Sequence, residues 1–220
     1  MKKGVIFDMD GTILDSNEMW DTALVKYLAG LDVVAQPGLD YATHTFSDIE
    51  TATYLNTTYN LGMTDEDVMA GYHNSIQSFY ENEVALKTGA YDFLEALYDA
   101  GIPLALATVT NRNATNSGIT RTGIDKFFSA TRVVAEAGVG KENPKIYLDL
   151  VEELGLDVEK TFVFEDSFYA AKTAKEAGFI VVGIADDYRT TEAEEMRELA
   201  DFYLEDYESA QDIYDAIINL

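Results

Sequence analysis

Val5-Ile6-Phe7-Asp8-Met9-Asp10-Gly11-Thr12 is the stretch on which the reading of this chain turns. Three apolar residues in a row have the form of a short buried strand, and the acidic, glycine-containing run after them has the form of a turn. From Thr88-Gly89 onward the same rhythm recurs, with helices between the strands. Phe93, Leu94 and Leu97 predict a helix that stops near Gly101, and residues 103–108 (PLALAT) predict a buried strand. A helix over about 113–123 and a short strand at Arg132-Val133-Val134 follow. Asn143 then reads as an N-cap with Pro144 in the first helical position. Residues 161–164 (TFVF) form a predicted strand, residues 170–177 a helix ended by Gly178, and residues 180–184 (IVVGI) another strand. Thr191 with Glu194 has the spacing of a capping box, and residues 202–204 predict an edge strand before a C-terminal amphipathic helix. Continuous apolar strands alternating with helices predict an α/β fold, a doubly wound parallel sheet covered on both faces.

Between the first strand and Thr88 the spacing is helical. Trp20, Leu24, Tyr27 and Leu28 form one stripe; Ile49, Ala52, Thr53, Tyr54 and the region through Leu61 a second; Val68, Tyr72, Ile76, Phe79 and Tyr80 a third. Residues 35–38 (AQPG) are a turn signal between the first two. With no strand read there, the expectation is a core of residues 1–15 and 87–220 carrying an all-helical insert of residues 16–86.

The 220 residues include 40 Asp+Glu against 15 Lys+Arg, a formal charge of −25, while 47% apolar and 12% aromatic residues are enough for a packed core. So acidic a chain repels nucleic acid and anionic membranes at long range, and no apolar run approaches the roughly 18 residues needed to span a bilayer. The stretch before Val5 is too short for a signal peptide, so a cytoplasmic protein, monomeric by default, is the expectation. With no cysteine there is no disulfide or thiol chemistry, and with only two histidines there is no His-rich metal site.

In a doubly wound sheet, ligands bind at the carboxyl ends of the strands. The polar residues collected there are Asp8, Asp10, Gly11 and Thr12; then Thr108, Thr110, Asn111 and Arg112; then Lys141, on the turn before Pro144; and Glu165, Asp166 and Ser167. Carboxylates crowded this closely repel one another unless a cation joins them, and all-oxygen ligands select a hard cation, with Mg²⁺ suited to a site completed by water and phosphate. A calcium loop starting at Asp8 fails, because Ile13 stands at its sixth position and Met19 at its twelfth. Lys141, Thr108 and helix N-termini would suit a phosphate, so the set favours phosphoryl transfer.

At these residues the sequence resembles a known family. Asp8-Met9-Asp10-Gly11-Thr12, Thr108, Lys141 with Pro144, and Glu165-Asp166-Ser167 match in order the four motifs of the haloacid dehalogenase superfamily. The helical insert looks like the C1 cap of its β-phosphoglucomutase-like subfamily, placed on a Rossmannoid core. The resemblance implies Asp8 as the nucleophile that forms an aspartyl-phosphate and Asp10 as general acid/base. It further implies Mg²⁺ held by Asp8, the backbone carbonyl of Asp10, and Asp166, with Glu165 near or in the shell. Thr108 would bind a phosphoryl oxygen, and Lys141 would offset charge on Asp8 and the phosphate. The subfamily's Lys-Pro-x-Pro is here Lys141-Glu142-Asn143-Pro144, its glycine after the last motif is Ala170 behind Phe168 and Tyr169, and its Lys-Pro-Gly return is Lys87-Thr88-Gly89.

The leading expectation is a Mg²⁺-dependent hydrolase of small phosphomonoesters. The alternative is a sugar-phosphate mutase, which must grip two phosphates; from Asp15 to Leu86 the only Lys or Arg is Lys26, which favours hydrolysis. Dehalogenase and phosphonate-cleaving chemistry does not use the acid/base that Asp10 supplies, and a non-catalytic scaffold would not need the full set. Asn111 and Arg112 are secondary candidates for a substrate or phosphate contact. His44, His73 and the tyrosines Tyr41, Tyr54, Tyr59, Tyr72 and Tyr80 read as surface or packing residues of the insert.

Overall fold

Alternation of side chains along β1 (Lys2–Phe7) sets the two faces of the main sheet: Val5 and Phe7 share one face, Ile6 takes the other, and all three are fully buried. The computed structural model describes every residue except Met1, His44, Thr45 and Arg189, together with the side chains of Asp40 and Tyr41. After β1 come β2 (Leu14–Asp15), α1 (Asn17–Gly30), α2 (Leu39–Thr43), α3 (Asp48–Tyr59), α4 (Asp65–Asn82) and β3 (Ala85–Leu86). The chain continues through α5 (Ala90–Asp99), β4 (Leu104–Thr108), α6 (Arg112–Arg121), β5 (Phe128–Val133), α7 (Val134–Ala137) and α8 (Lys145–Leu154). It closes with β6 (Leu156–Glu165), α9 (Phe168–Glu176), β7 (Ile180–Ile184), α10 (Ala193–Leu199), β8 (Phe202–Leu204) and α11 (Gln211–Asn219).

Six strands form one parallel sheet in the order β5-β4-β1-β6-β7-β8. The chain builds outward from β1 to β5 on one side and then crosses to β6 on the other, so strand order reverses at β1, the position where such sheets bind ligands. On the Ile6 face, Ile146, Leu150, Ala171, Ala174 and Met196 from α8, α9 and α10 cover the strands. On the Phe7 face the cover is aromatic: Phe7 meets Phe93 of α5 edge-on at 6.5 Å, and Phe93 lies 5.3 Å from Tyr207. Helices on both faces give the doubly wound α/β architecture.

The chain divides into two compact units, Met1–Asn17 with Val84–Leu220, and Glu18–Glu83. The second is helical, with a core of Leu24, Tyr27, Leu28, Leu39, Ala52, Leu55 and Val68. Its α3 opens with a full capping box between Ser47 and Glu50, and Thr64 caps α4. Ile49, read as part of an apolar stripe, is 76% exposed, because it lies a third of a turn or more round α3 from the buried Thr51 and Leu55. His73 is exposed beside Asp48, at 3.4 Å. His44 and the side chain of Tyr41 lie outside the described residues.

The structure corrects the sequence reading in several places. Residues 17–86 do contain a strand: Ala85–Leu86 pairs antiparallel with Leu14–Asp15, a ladder too short to show as alternation. Val134 opens α7 instead of extending β5, although its β-branched side chain reads as strand. Thr191 and Glu194 make no capping box; a 3₁₀ turn (Thr190–Glu192) runs into α10 with Glu192 at the cap position and no side-chain bond. Pro144 stands just before α8, and the Asn143 side chain accepts the Lys145 N–H at 3.0 Å. Among the described residues no helix is long and apolar enough to cross a membrane.

Candidate active site

The register pairs Phe7 with both Leu106 and Phe164, so the ends of β1, β4 and β6 come out at one edge of the sheet. Asp8, the first residue past β1, donates its N–H to the Phe164 carbonyl at 2.9 Å, which fixes the nucleus of the site to the neighbouring strand. Glu165 ends β6 and Asp166 follows it. Carboxylate oxygens of Asp8, Glu165 and Asp166 all lie within 4.8 Å of one another, and all three residues are buried. Into this group, from the loop before α8, comes Lys141, only 2% exposed. Its Nζ donates to Asp8 Oδ1 at 2.5 Å and to Glu165 Oε1. Glu142, the extra carboxylate beside it, is exposed and takes no share of this burial.

Asp10 faces different partners. Ser16 Oγ donates to its Oδ1 at 2.7 Å and Thr110 Oγ1 to its Oδ2 at 2.6 Å. Its side chain is thus not among the three mutually close carboxylates. Between the two aspartates the loop turns sharply: the Ile13 and Leu14 N–H groups both donate to the Met9 carbonyl at 2.9 Å, and Gly11 takes φ +72°. A Cβ on Gly11 would stand 2.1 Å from Asn17 Nδ2 and 2.4 Å from Asp166 Oδ2, two atoms that are themselves hydrogen-bonded at 2.8 Å. Only glycine lets this loop approach that pair.

The electrostatics follow from burying several acids around one base. Burial pushes Asp8 above its ordinary value; Lys141 pulls it back and Asp10 pushes it up again. Burial likewise takes Glu165 up to about 8, with Lys141 lowering it and Asp8 and Asp166 raising it. For Lys141 burial works against the charge, but Asp8 and Glu165 outweigh it and hold the amine well above its usual range. The site carries more buried negative charge than its lysine balances. Its donors are all oxygen, so Asp8, Glu165 and Asp166 could hold a hard divalent cation.

The remaining sequence candidates fall into two groups. Thr108 is fully buried at the end of β4, where its Oγ1 accepts the Thr110 N–H at 3.0 Å. Asn111 serves as the N-cap of α6, accepting from the Ala114 N–H, and Arg112 forks onto Glu136 and the Thr131 carbonyl. Among the described residues, neither Asn111 nor Arg112 shows a bond to Asp8, Glu165 or Asp166. Ala170 is fully buried, Tyr169 half exposed. Sequence reasoning collected Thr110 at a strand end without giving it a role, and singled out none of Ser16, Asn17, Tyr147 and Tyr207 as a site residue. Tyr147, fully buried on α8, donates to Glu165 Oε1 at 2.9 Å, and Tyr207 donates to the Thr12 carbonyl at 3.0 Å. Thr110 and Tyr147 sit two and six residues past recognised motif residues, which was the available signal; Tyr207 had none.

Residues 5–184 match the family described as haloacid dehalogenase-like hydrolase. The chain belongs to that family. Among proteins similar to this haloacid dehalogenase-like chain is a phosphorylated carbohydrates phosphatase of Thermotoga maritima, 26% identical over 176 residues, which are 80% of this chain and 82% of the relative. The pyrophosphatase PpaX of Bacillus velezensis is 25% identical over 182 residues, 82% of either chain. Of solved structures, a candidate β-phosphoglucomutase of Thermotoga maritima superposes with a TM-score of 0.82 at 24% identity, covering 99% of this chain and 100% of the other. CbbY of Rhodobacter sphaeroides in complex with phosphate gives 0.74 at 22% identity over 96% of this chain and 97% of its own. These structural likenesses establish the haloacid dehalogenase-like fold.

Proposed function

We propose that the chain is a Mg²⁺-dependent phosphatase that hydrolyses phosphomonoesters of small metabolites through an aspartyl-phosphate on Asp8. The observation that carries this reading is the convergence of Asp8, Glu165 and Asp166 at the reversal point of the sheet, with Asp8 and Glu165 both paired to one buried lysine. The phosphatases among its relatives support the same class of reaction. The donor set fits Mg²⁺: it is all oxygen and buried, and burial, with the neighbouring acids adding to it, pushes Asp8 and Glu165 towards their neutral forms. Asp8, Asp166 and the Asp10 carbonyl would hold the ion, with Glu165 beside it. When bound, the ion would neutralise charge on the phosphoryl oxygens.

The chain's own groups divide the remaining work. Asp8 attacks phosphorus, and its carboxylate is oriented for this by Lys141 and by the backbone bond to Phe164. Asp10, steadied on both oxygens by Ser16 and Thr110, protonates the leaving oxygen and then takes a proton from the water that cleaves the acyl-phosphate. Lys141 and Thr108 offset charge on the transferring group. The helical unit, residues 18–83, serves as a cap that selects among substrates; with Lys26 as its only Lys or Arg it lacks a second phosphate grip, which favours hydrolysis over phosphate transfer between sugar positions. The test is phosphate release from a panel of phosphomonoesters with Mg²⁺, wild type beside Asp8→Asn. Release by the wild type alone is expected; no release from either protein would overturn the reading, and hexose-phosphate interconversion without release would replace it by a mutase.

A further inference from the structure

We infer that Tyr207 is a positioning residue for the Asp8–Thr12 loop, a brace from the far end of the chain that fixes the Thr12 carbonyl and with it the direction in which Asp8 and Asp10 are presented. The inference rests on the phosphatase reading for its catalytic consequence only.

Tyr207 opens a 3₁₀ turn (Tyr207–Ser209) that is itself capped by the Asp206 side chain, and it is 5% exposed. Its phenol donates to the Thr12 carbonyl at 3.0 Å across 195 positions of sequence. Its ring lies parallel to Phe164, 11° between planes and 6.4 Å between centroids, and the Phe164 carbonyl is the group that receives the Asp8 N–H. One residue therefore supports the loop after β1 through its oxygen and the end of β6 through its ring.

Two further observations show that this support is tight. Gly89 takes φ +77°, and a Cβ there would stand 2.9 Å from the Glu208 nitrogen and 3.0–3.1 Å from atoms of Tyr207, so the backbone at the head of α5 closes on Tyr207 and leaves it little room to move. Thr12 is fully buried and its Oγ1 has no hydrogen-bond partner among the described residues, so the threonine's own hydroxyl does nothing to hold it in place. Without the phenol, a buried carbonyl loses its side-chain donor, and a buried acceptor left without a partner is expensive enough to shift the backbone that carries it.

Tyr207→Phe keeps the ring and removes one oxygen. With para-nitrophenyl phosphate and saturating Mg²⁺, kcat is expected to fall about tenfold while KM stays within about twofold, the pattern of a group aligned for the transition state and not for binding. Hydrogen exchange read by mass spectrometry supplies a measure that needs no turnover. Peptides over residues 9–14, which contain the Ile13 and Leu14 amides bonded to Met9, should exchange about tenfold faster in the variant and elsewhere match the wild type. Tyr98→Phe, at an exposed ring, should change neither quantity. Wild-type kcat with unchanged loop exchange would overturn the inference, as would faster exchange spread evenly over the chain. Should the wild type release no phosphate, the phosphatase reading falls while loop exchange still decides whether Tyr207 braces the loop.

Discussion

Replacing Gly11 by alanine sets the geometry of the site against a single methyl group. The new Cβ would stand 2.1 Å from Asn17 Nδ2 and 2.4 Å from Asp166 Oδ2. The asparagine must therefore swing out and release its 2.8 Å hydrogen bond to the aspartate. A hydrogen bond to a charged group contributes about 1.5–3 kcal/mol. A left-handed backbone, here φ +72°, costs a non-glycine residue about 1–2 kcal/mol more. The sum is about 4 kcal/mol, and for a chain of 220 residues that is a fall in Tm of about 8–16 °C. The measurement is thermal unfolding by circular dichroism of Gly11→Ala, Asn17→Ala and the double variant. In the Asn17→Ala background the glycine substitution should cost about 1–2 kcal/mol less, because part of the clash and the bond it breaks are already gone. Turnover by Gly11→Ala should drop at least about tenfold, since Asp166 is displaced with the asparagine. A variant as stable and as active as the wild type, or strict additivity in the double variant, would refute the claim that glycine is required here for the loop's approach to that pair.

Lys141→Met, in chelator-treated protein, should lower stability by about 3–5 kcal/mol, because it strands Asp8 and Glu165 without their buried partner. Added Mg²⁺ should recover more Tm in this variant than in the wild type, and equal recovery would count against a shared cation site. Thr110→Val removes the donor to Asp10 Oδ2 and is expected to reduce kcat about tenfold with little change in KM; unchanged kcat in steady-state assays would detach Thr110 from the chemistry. Lys87 pairs with the buried Asp186 at 2.7 Å. A double-mutant cycle of Lys87→Met and Asp186→Asn by urea unfolding should show coupling of about 2 kcal/mol, and additivity would mean that the pair contributes nothing.

How much of this could be read from the chain differs by kind of interaction. The strand-and-loop grammar was legible because each element carries its own signal: Val5-Ile6-Phe7 and residues 161–164 are continuous apolar runs, and the residues after them are carboxylates that only a strand end would gather. Asp8, Glu165 and Asp166 were legible for that reason and Lys141 from the turn before Pro144; the fold gathers the three carboxylates and pairs the lysine with Asp8 and Glu165. Hidden were contacts made by residues whose local role is ordinary. Ser16 and Asn17 fall at the start of the insert read as helical, yet their side chains reach Asp10 and Asp166. Tyr207 lies between the edge strand predicted at 202–204 and the C-terminal helix, and nothing local marks its phenol as the partner of Thr12. Arg112, a secondary candidate for a phosphate contact because it follows a strand, is drawn off by Glu136, a partner 24 positions away. The pattern Thr191-x-x-Glu194 failed for the opposite reason: in so acidic a segment, a threonine three residues before a glutamate arises without a cap.

The ladder between Leu14–Asp15 and Ala85–Leu86 has a consequence for how this chain can change over time. It brings the two ends of a long excursion side by side, in the manner of a socket. A structureless loop over residues 16–84 would cost about 4 kcal/mol in closure entropy, but a segment that folds around its own Leu28, Leu55 and Val68 does not leave that cost to the sheet. The excursion therefore leaves and rejoins the α/β unit at two adjacent chain ends. Whole helices there can be lengthened, shuffled or exchanged for another module while the strand order and the carboxylate cluster stay as they are.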